Sequence, residues 1–207
     1  DDFMDQMLSS STASHGPVLN AVEISGKSAA AGQELNEHVW YDFPTVAKVA
    51  AQIATELGAI DPANAAAFSA NAAAFSDKLA DLTSKVDTVR TAHAGAPIAI
   101  TEPVPLYLTD AAGLVNKTPA EFSEAIEVGT DVPPTVQTDT LALFTGRQVV
   151  ALVYNEQTSS PETEQLLAAA KDNSIAAVGV TETLPAGEDY VSWMDSNIAA
   201  LAAALGG

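Results

Sequence analysis

Between Asp61 and Ala92 the sequence keeps one helical face apolar without a break. Phe68, Phe75, Leu79, Leu82, Val86 and Val89 recur at steps of seven, four, three, four and three, the spacing of one stripe along a helix of 3.6 residues per turn. Asp61 and Pro62 supply an N-cap and a first-turn proline. At 1.5 Å per residue, roughly 30 residues make a rod of about 45 Å. A typical helix has about 11–12 residues. A rod of that length outgrows a single lobe, and the spacing predicts one that runs along two.

The sequence on either side differs in kind. After the seam, short apolar runs alternate with helical segments: APIAITEP, VPLYLTDAAGL, AEFSEAIEVG, TVQTDTLALFTG, RQVVALVYNEQ, SPETEQLLAAAKDN, SIAAVGVTETL and a closing EDYVSWMDSNIAALAAAL. That alternation predicts a parallel sheet covered on both faces, with right-handed crossovers. Before the seam, Phe3, Met4, Met7 and Leu8 stand at helical spacing, GPVLNAVEISG reads as a strand, Gly26 to Leu35 as a loop, and Pro44 opens a helix reaching about Gly58. An amphipathic helix at the first residues needs a surface to cover, and the expectation is that further sequence precedes it. The fold class is therefore α/β: two lobes with parallel sheets joined by one long helix, the N-terminal lobe incomplete. Residues 1–60 belong to that first lobe, 61–93 form the connecting helix and 94–207 the C-terminal α/β lobe.

Charge narrows the partners. Eight basic residues face 27 acidic ones, a net charge of −19. Such a surface repels phosphate backbones, which excludes nucleic acid as a partner, and it raises the local concentration of cations. With no cysteine, there are no disulfides and no thiolate ligands or nucleophiles. Any metal must be held by imidazole and carboxylate. No apolar run reaches the roughly 20 residues that span a bilayer.

In a parallel α/β sheet, ligands gather at the carboxyl ends of the strands. Three acids sit at such ends: Glu102 after PIAIT, Glu156 after VVALVYN and Glu182 after AAVGVT. His38 lies in LNEHVWYDFPTV, ahead of the helix at Pro44, where it can meet them from the other side of a cleft. The plain alternatives stand beside this reading: a histidine among aromatics is often a hydrogen-bonded packing residue, and a strand-end glutamate is often a solvated charge. His15 and His93 read as surface residues. No GxSxG elbow, HExxH helix or glycine-rich phosphate loop occurs.

Four blocks carry a resemblance. EHVWYDFPTV resembles the Asn-Pro-His-Val-Trp-Leu-Asp-Pro block of the metal-binding solute receptors of bacterial zinc and manganese ABC importers. IAITEPVPLYLTDAAGL resembles that family's strand ending in His or Glu before an aromatic-rich helix. VVALVYNEQTSSPETEQLLAAA is similar to its strand ending in a glutamate with Gln-Thr-Ser and a helix, and VTETLP followed by DYVSWMDSNIAALAAAL to its terminal acidic ligand and helix. The resemblance implies metal ligands at His38, Glu102 and Glu182, the last where the family has Asp. It departs where Glu37 replaces a proline and Phe43 displaces another. The earlier histidine of the family's first lobe has no counterpart here, and its His-rich acidic loop is the plain SGKSAAAGQEL.

The function implied is capture of a divalent transition metal in a cleft between lobes for delivery to a membrane permease, not catalysis. The protein would be extracytoplasmic and lipid-anchored. Imidazole suits zinc and carboxylate oxygen moves the preference toward manganese, so Mn2+ is slightly favoured over Zn2+, although zinc binds most such sites more tightly. Asp42 and Glu156 are candidates to orient His38 or hold a water. A metal-dependent hydrolase, with three protein ligands and an open position, is one alternative; an acidic adhesin or interaction module is another.

Overall fold

The computed structural model describes residues 3–11, 16–29 and 35–206. Its sheet has four parallel strands, β1 (Pro97–Ile100), β2 (Val115–Asn116), β3 (Ala151–Asn155) and β4 (Ala176–Val180), in the order β2-β1-β3-β4. The register pairs Ile98 with Asn116 on one side of β1 and with Ala151 on the other, and Val153 with Val178. From β1 the chain first moves outward to β2 and later returns to lay β3 on the opposite side. The strand order thus reverses between β1 and β3, the crevice where ligands of such sheets gather.

Side chains alternate across the sheet, as period-two geometry requires. Ile98, Ile100, Ala151, Val153, Val178 and Val180 join one core with residues of α4 (Ala65–His93), α5 (Leu106–Ala111) and α9 (Tyr190–Leu205). Ala99 and Leu152 join the other, with α6 (Ala120–Glu127), α7 (Pro134–Thr145) and α8 (Pro161–Asp172). Ile98, Ala99, Ile100, Ala151 and Leu152 are all fully buried, which is why these strands read as continuous apolar runs rather than as alternating ones.

The long helix is α4, with 29 residues, and its length is what the seam predicted. Its first turn is not capped as expected. Pro62–Asn64 forms a separate 3-10 turn, and the Asp61 carboxylate accepts from the Asn64 side-chain amide at 2.6 Å rather than from the helix backbone. Leu79, Leu82, Val86 and Val89 are buried in the sheet-facing core, and Phe75 packs edge-on against Tyr190. Phe68, nearer the start, faces α3 (Phe43–Ile60) across a shallow apolar groove. His93, expected at the surface, is half-buried in the last turn of α4.

Before α3, α1 (Phe3–Ser10) is helical as its spacing predicted. The strand expected within 16–26 is instead a helix, α2 (Ala21–Ser25). Asn20 is the cause: its side-chain oxygen accepts from the backbone N–H groups of Val22 and Glu23, and Gly26 closes the turn at φ 70°. A capping asparagine and a left-handed glycine six residues apart outweigh the β propensity of Val18, Val22 and Ile24. His15 lies outside the described residues. Among the described residues no helix is long and apolar enough to cross a membrane.

Candidate metal centre

Glu102 and Glu182 each stand two residues beyond the end of a strand, β1 and β4, while Glu156 stands one residue beyond β3. That difference of one residue sends Glu156 to the other side of the sheet. Its side chain lies over Gly179, whose missing Cβ makes the room, and its carboxylate accepts from Tyr154 at 3.4 Å. Between Glu102 and Glu182 lies Asn155. Its backbone N–H donates to Thr101 Oγ1 at 3.1 Å, and its Nδ2 donates to Thr158 Oγ1 at 3.0 Å and to Glu182 Oε1 at 2.5 Å. The Glu182 backbone N–H donates in turn to Gln157 Oε1 at 2.7 Å.

Glu102 is only 4% exposed. Burial pushes its carboxyl above the ordinary range, hydrogen bonds from Asn155 and Thr158 pull the other way, and the Glu182 charge pushes up again. Its Oε2 is buried without a hydrogen-bond partner. An unmatched buried carboxylate oxygen is costly, and a cation is the group that would match it.

His38 enters from the segment ahead of α3 and is also buried. Asn36 fixes it. The Asn36 Oδ1 accepts from the His38 backbone N–H at 3.0 Å and faces ring Nδ1 at 2.7 Å. That assigns the proton to Nδ1 and leaves the lone pair on Nε2, the form in which histidine ligates a metal. Asn36 is itself tied to the loop after β1: its Nδ2 donates to the Pro103 carbonyl at 3.0 Å, and Tyr107 donates to the Asn36 carbonyl at 2.8 Å. The Trp40 ring meets the imidazole edge-on at 5.1 Å. Burial lowers the His38 pKa, opposed by the charges of Glu182 and Glu37.

Two tyrosines bind this segment to the far end of the chain. Tyr41 donates to the Thr181 carbonyl at 2.7 Å and accepts from Asn197 at 3.3 Å, and Tyr190 donates to the Trp40 carbonyl at 2.6 Å. His38 and Glu182 therefore share a rigid frame.

A fourth group, unmarked by the sequence, reaches the imidazole. Glu127, the last residue of α6, places Oε1 at 3.6 Å from His38 Nε2. With a neutral imidazole this is a close approach and not an ion pair. Burial, then the charges of Glu102, Glu182 and Glu37, push the Glu127 carboxyl up to about 7. The acids thus feel one another, and Glu182 acts on His38 as well. They do not yet form a cage: among the described residues no three histidine or acidic side chains stand in a grouping that would hold an ion.

The expected supporting roles of Asp42 and Glu156 are not what the structure has. Asp42 caps α3, accepting from the Thr45 N–H at 3.1 Å and from the Thr45 hydroxyl, and pairs with Lys27 at 3.3 Å. Asn36, two residues before the histidine, orients the ring instead. The Asx-turn pattern of a short polar side chain accepting from the backbone two residues on is the signal that would have found it.

A profile of the family described as "Zinc-uptake complex component A periplasmic" matches residues 1–204. Comparison with curated protein sequences gave no match. Among solved structures, the solute-binding protein FpvC of Pseudomonas aeruginosa in complex with Mn2+ superposes with a TM-score of 0.76 at 21% identity, over 100% of this chain and 76% of its own. The periplasmic zinc-binding protein TroA of Treponema pallidum gives 0.76 at 19% identity, over 98% of this chain and 76% of its own. The laminin-binding protein Lbp of Streptococcus pyogenes gives 0.64 at 19%, over 82% and 64%. At these identities the structures establish the shared fold: an α/β architecture with an all-parallel sheet and one long helix. The profile match runs nearly end to end, and by it this chain belongs to the zinc-uptake complex component A family, the metal-binding periplasmic substrate receptors of ABC transporters, which are binding proteins and not enzymes.

Proposed function

We propose that this chain captures a divalent transition metal, Mn2+ or Zn2+, as its cargo, with His38, Glu102 and Glu182 as ligands, and delivers it to the membrane permease of an ABC importer. The observations that carry the reading are Glu102 Oε2, a buried carboxylate oxygen without a partner, and the buried His38 imidazole, whose Nδ1 is already engaged. The donor set, one imidazole and oxygen donors, fits either ion. Carboxylates favour manganese, and zinc binds most such sites more tightly. Glu182 would ligate as a carboxylate whose Oε1 also accepts from the Asn155 amide.

In this reading residues 1–60 belong to one lobe, 61–93 connect, and 94–207 form the other, with the metal between them. A lipid anchor, as the resemblance implies, would hold the receptor near its permease.

Calorimetric titration of Mn2+ and Zn2+ into the wild type and into His38→Ala, Glu102→Ala and Glu182→Ala tests the assignment. Each variant should lose more than the roughly 10–100-fold that even a supporting group is worth. Metal at about 100 times Kd should stabilise the wild type by about 2.7 kcal/mol, raising Tm by roughly 5–10 °C for a chain of this size. Unchanged affinities in all three variants would refute the ligand set.

A further inference from the structure

We infer that Glu127 is a direct ligand of the captured metal, supplied by helix α6 from the opposite face of the sheet. The inference rests on the capture reading above and adds to it a donor found by geometry alone.

Three observations converge. The first is reach. Two donors each about 2.0–2.2 Å from one tetrahedral ion stand about 3.4 Å apart. Glu127 Oε1 and His38 Nε2 are separated by 3.6 Å. That is too long for a hydrogen bond and close to the span of an ion held between them. Because Nδ1 is committed to Asn36, Nε2 is the ring nitrogen available for ligation, and Glu127 is the acid it meets.

The second is anchorage. Glu127 follows Ile126 at the end of α6, and Phe122 and Ile126 are buried in the core under that helix. The backbone that carries the carboxylate is therefore fixed by apolar packing, and only the side-chain torsions remain to be set.

The third is the local field. A helix C-terminus presents the negative end of its dipole, and no basic residue occupies the last turn of α6. A carboxylate there, which also feels the charge of buried Glu102, lacks any compensating positive group on its own helix. A bound cation would serve Glu127, Glu102 and the dipole together.

The test uses Zn2+, Mn2+ and Co2+ alone, titrated into wild type, Glu127→Gln and, as a control on an exposed residue of the same helix, Glu124→Gln. Affinity is read by calorimetry and coordination by the visible absorption of bound Co2+, whose intensity and position follow ligand number and type. Glu127→Gln should weaken binding by at least the roughly tenfold that loss of a supporting group costs and should alter the Co2+ spectrum, while Glu124→Gln matches the wild type in both. Weaker binding with an unchanged Co2+ spectrum would overturn the ligand assignment, because the charge would then act from outside the coordination sphere. Wild-type affinity and spectrum in Glu127→Gln would overturn it too, leaving capture by His38, Glu102 and Glu182 intact. A wild type that binds none of the three ions would overturn both. Melting of the metal-free variants checks their fold, and Glu127→Ala repeats the measurement should the amide disturb α6.

Discussion

A single short polar side chain decides what His38 can do. Asn36 accepts from the histidine backbone and faces its Nδ1, and it reaches across to the Pro103 carbonyl with its amide. It thereby sets tautomer, ring direction and distance from the loop that bears Glu102. Asn36→Ala should reduce metal affinity by roughly 10–100-fold, and nitrogen-detected NMR of the imidazole should show both neutral tautomers in place of one. A variant that kept a single tautomer and full affinity would assign the orienting role elsewhere. The residue scale also shows where sequence stops being informative. As proposed ligands, Glu102 and Glu182 stand out in the sequence because strand ends are special places in a parallel sheet, and His38 because its block is distinctive. Glu127 is not: a glutamate at the end of an amphipathic helix, after Phe122 and Ile126, has the pattern of any solvated charge. Only the crossover from β2 through α6 brings it to the imidazole.

At the scale of elements, local rules and tertiary packing divide the work. The helices α8 and α9 begin with reciprocal caps. Ser160 and Thr163 exchange hydrogen bonds at the start of α8, and Asp189 and Ser192 at the start of α9. Ser160→Ala should destabilise by about 1 kcal/mol, read from the denaturation midpoint. The Asp189 carboxyl is held below its ordinary value by the Ser192 N–H and side chain. A depressed pKa gives stability that is present above the unfolded value and lost as pH falls through the folded one. The stability difference between wild type and Asp189→Ala should therefore be full at neutral pH and shrink as pH drops below the ordinary carboxylate value of 3.8. In α4 the sequence seam is a sound guide to the element and a partial guide to its core. Leu82 is 2% exposed, and Leu82→Ala should cost about 2–5 kcal/mol. Phe68, on the same stripe, meets only the α3 groove, because burial depends on what lies opposite and the stripe does not say. The helix α2 makes the converse point, since an apolar run short enough to be a strand became a helix through its asparagine cap.

For the whole molecule, the parallel sheet and the coverage of both its faces follow from the alternation of short apolar runs with helical segments, and the long helix from its unbroken apolar seam. The meeting of His38 with the sheet does not, because it depends on Asn36, Tyr41 and Tyr190, whose partners lie far away in the chain. In the proposed arrangement α4 is a single continuous helix between lobes, and its backbone hydrogen bonds resist bending more than a set of extended linkers would. Small-angle scattering with and without Mn2+ should therefore show little change in radius of gyration. A large contraction would mean that the connection flexes.

The two tyrosine tethers carry one more consequence. Tyr41 needs Thr181 and Asn197, and Trp40 needs Tyr190, so the tethers of the histidine segment are complete only once residues 181–197 have joined the fold. Synthesis proceeds from the amino end at about 5–20 residues per second, so these tethers form many seconds after His38 has been made. In the proposed function, capture would therefore wait on the segment that carries Thr181, Tyr190 and Asn197, and a chain clipped before it would lose the tethers of the His38 segment.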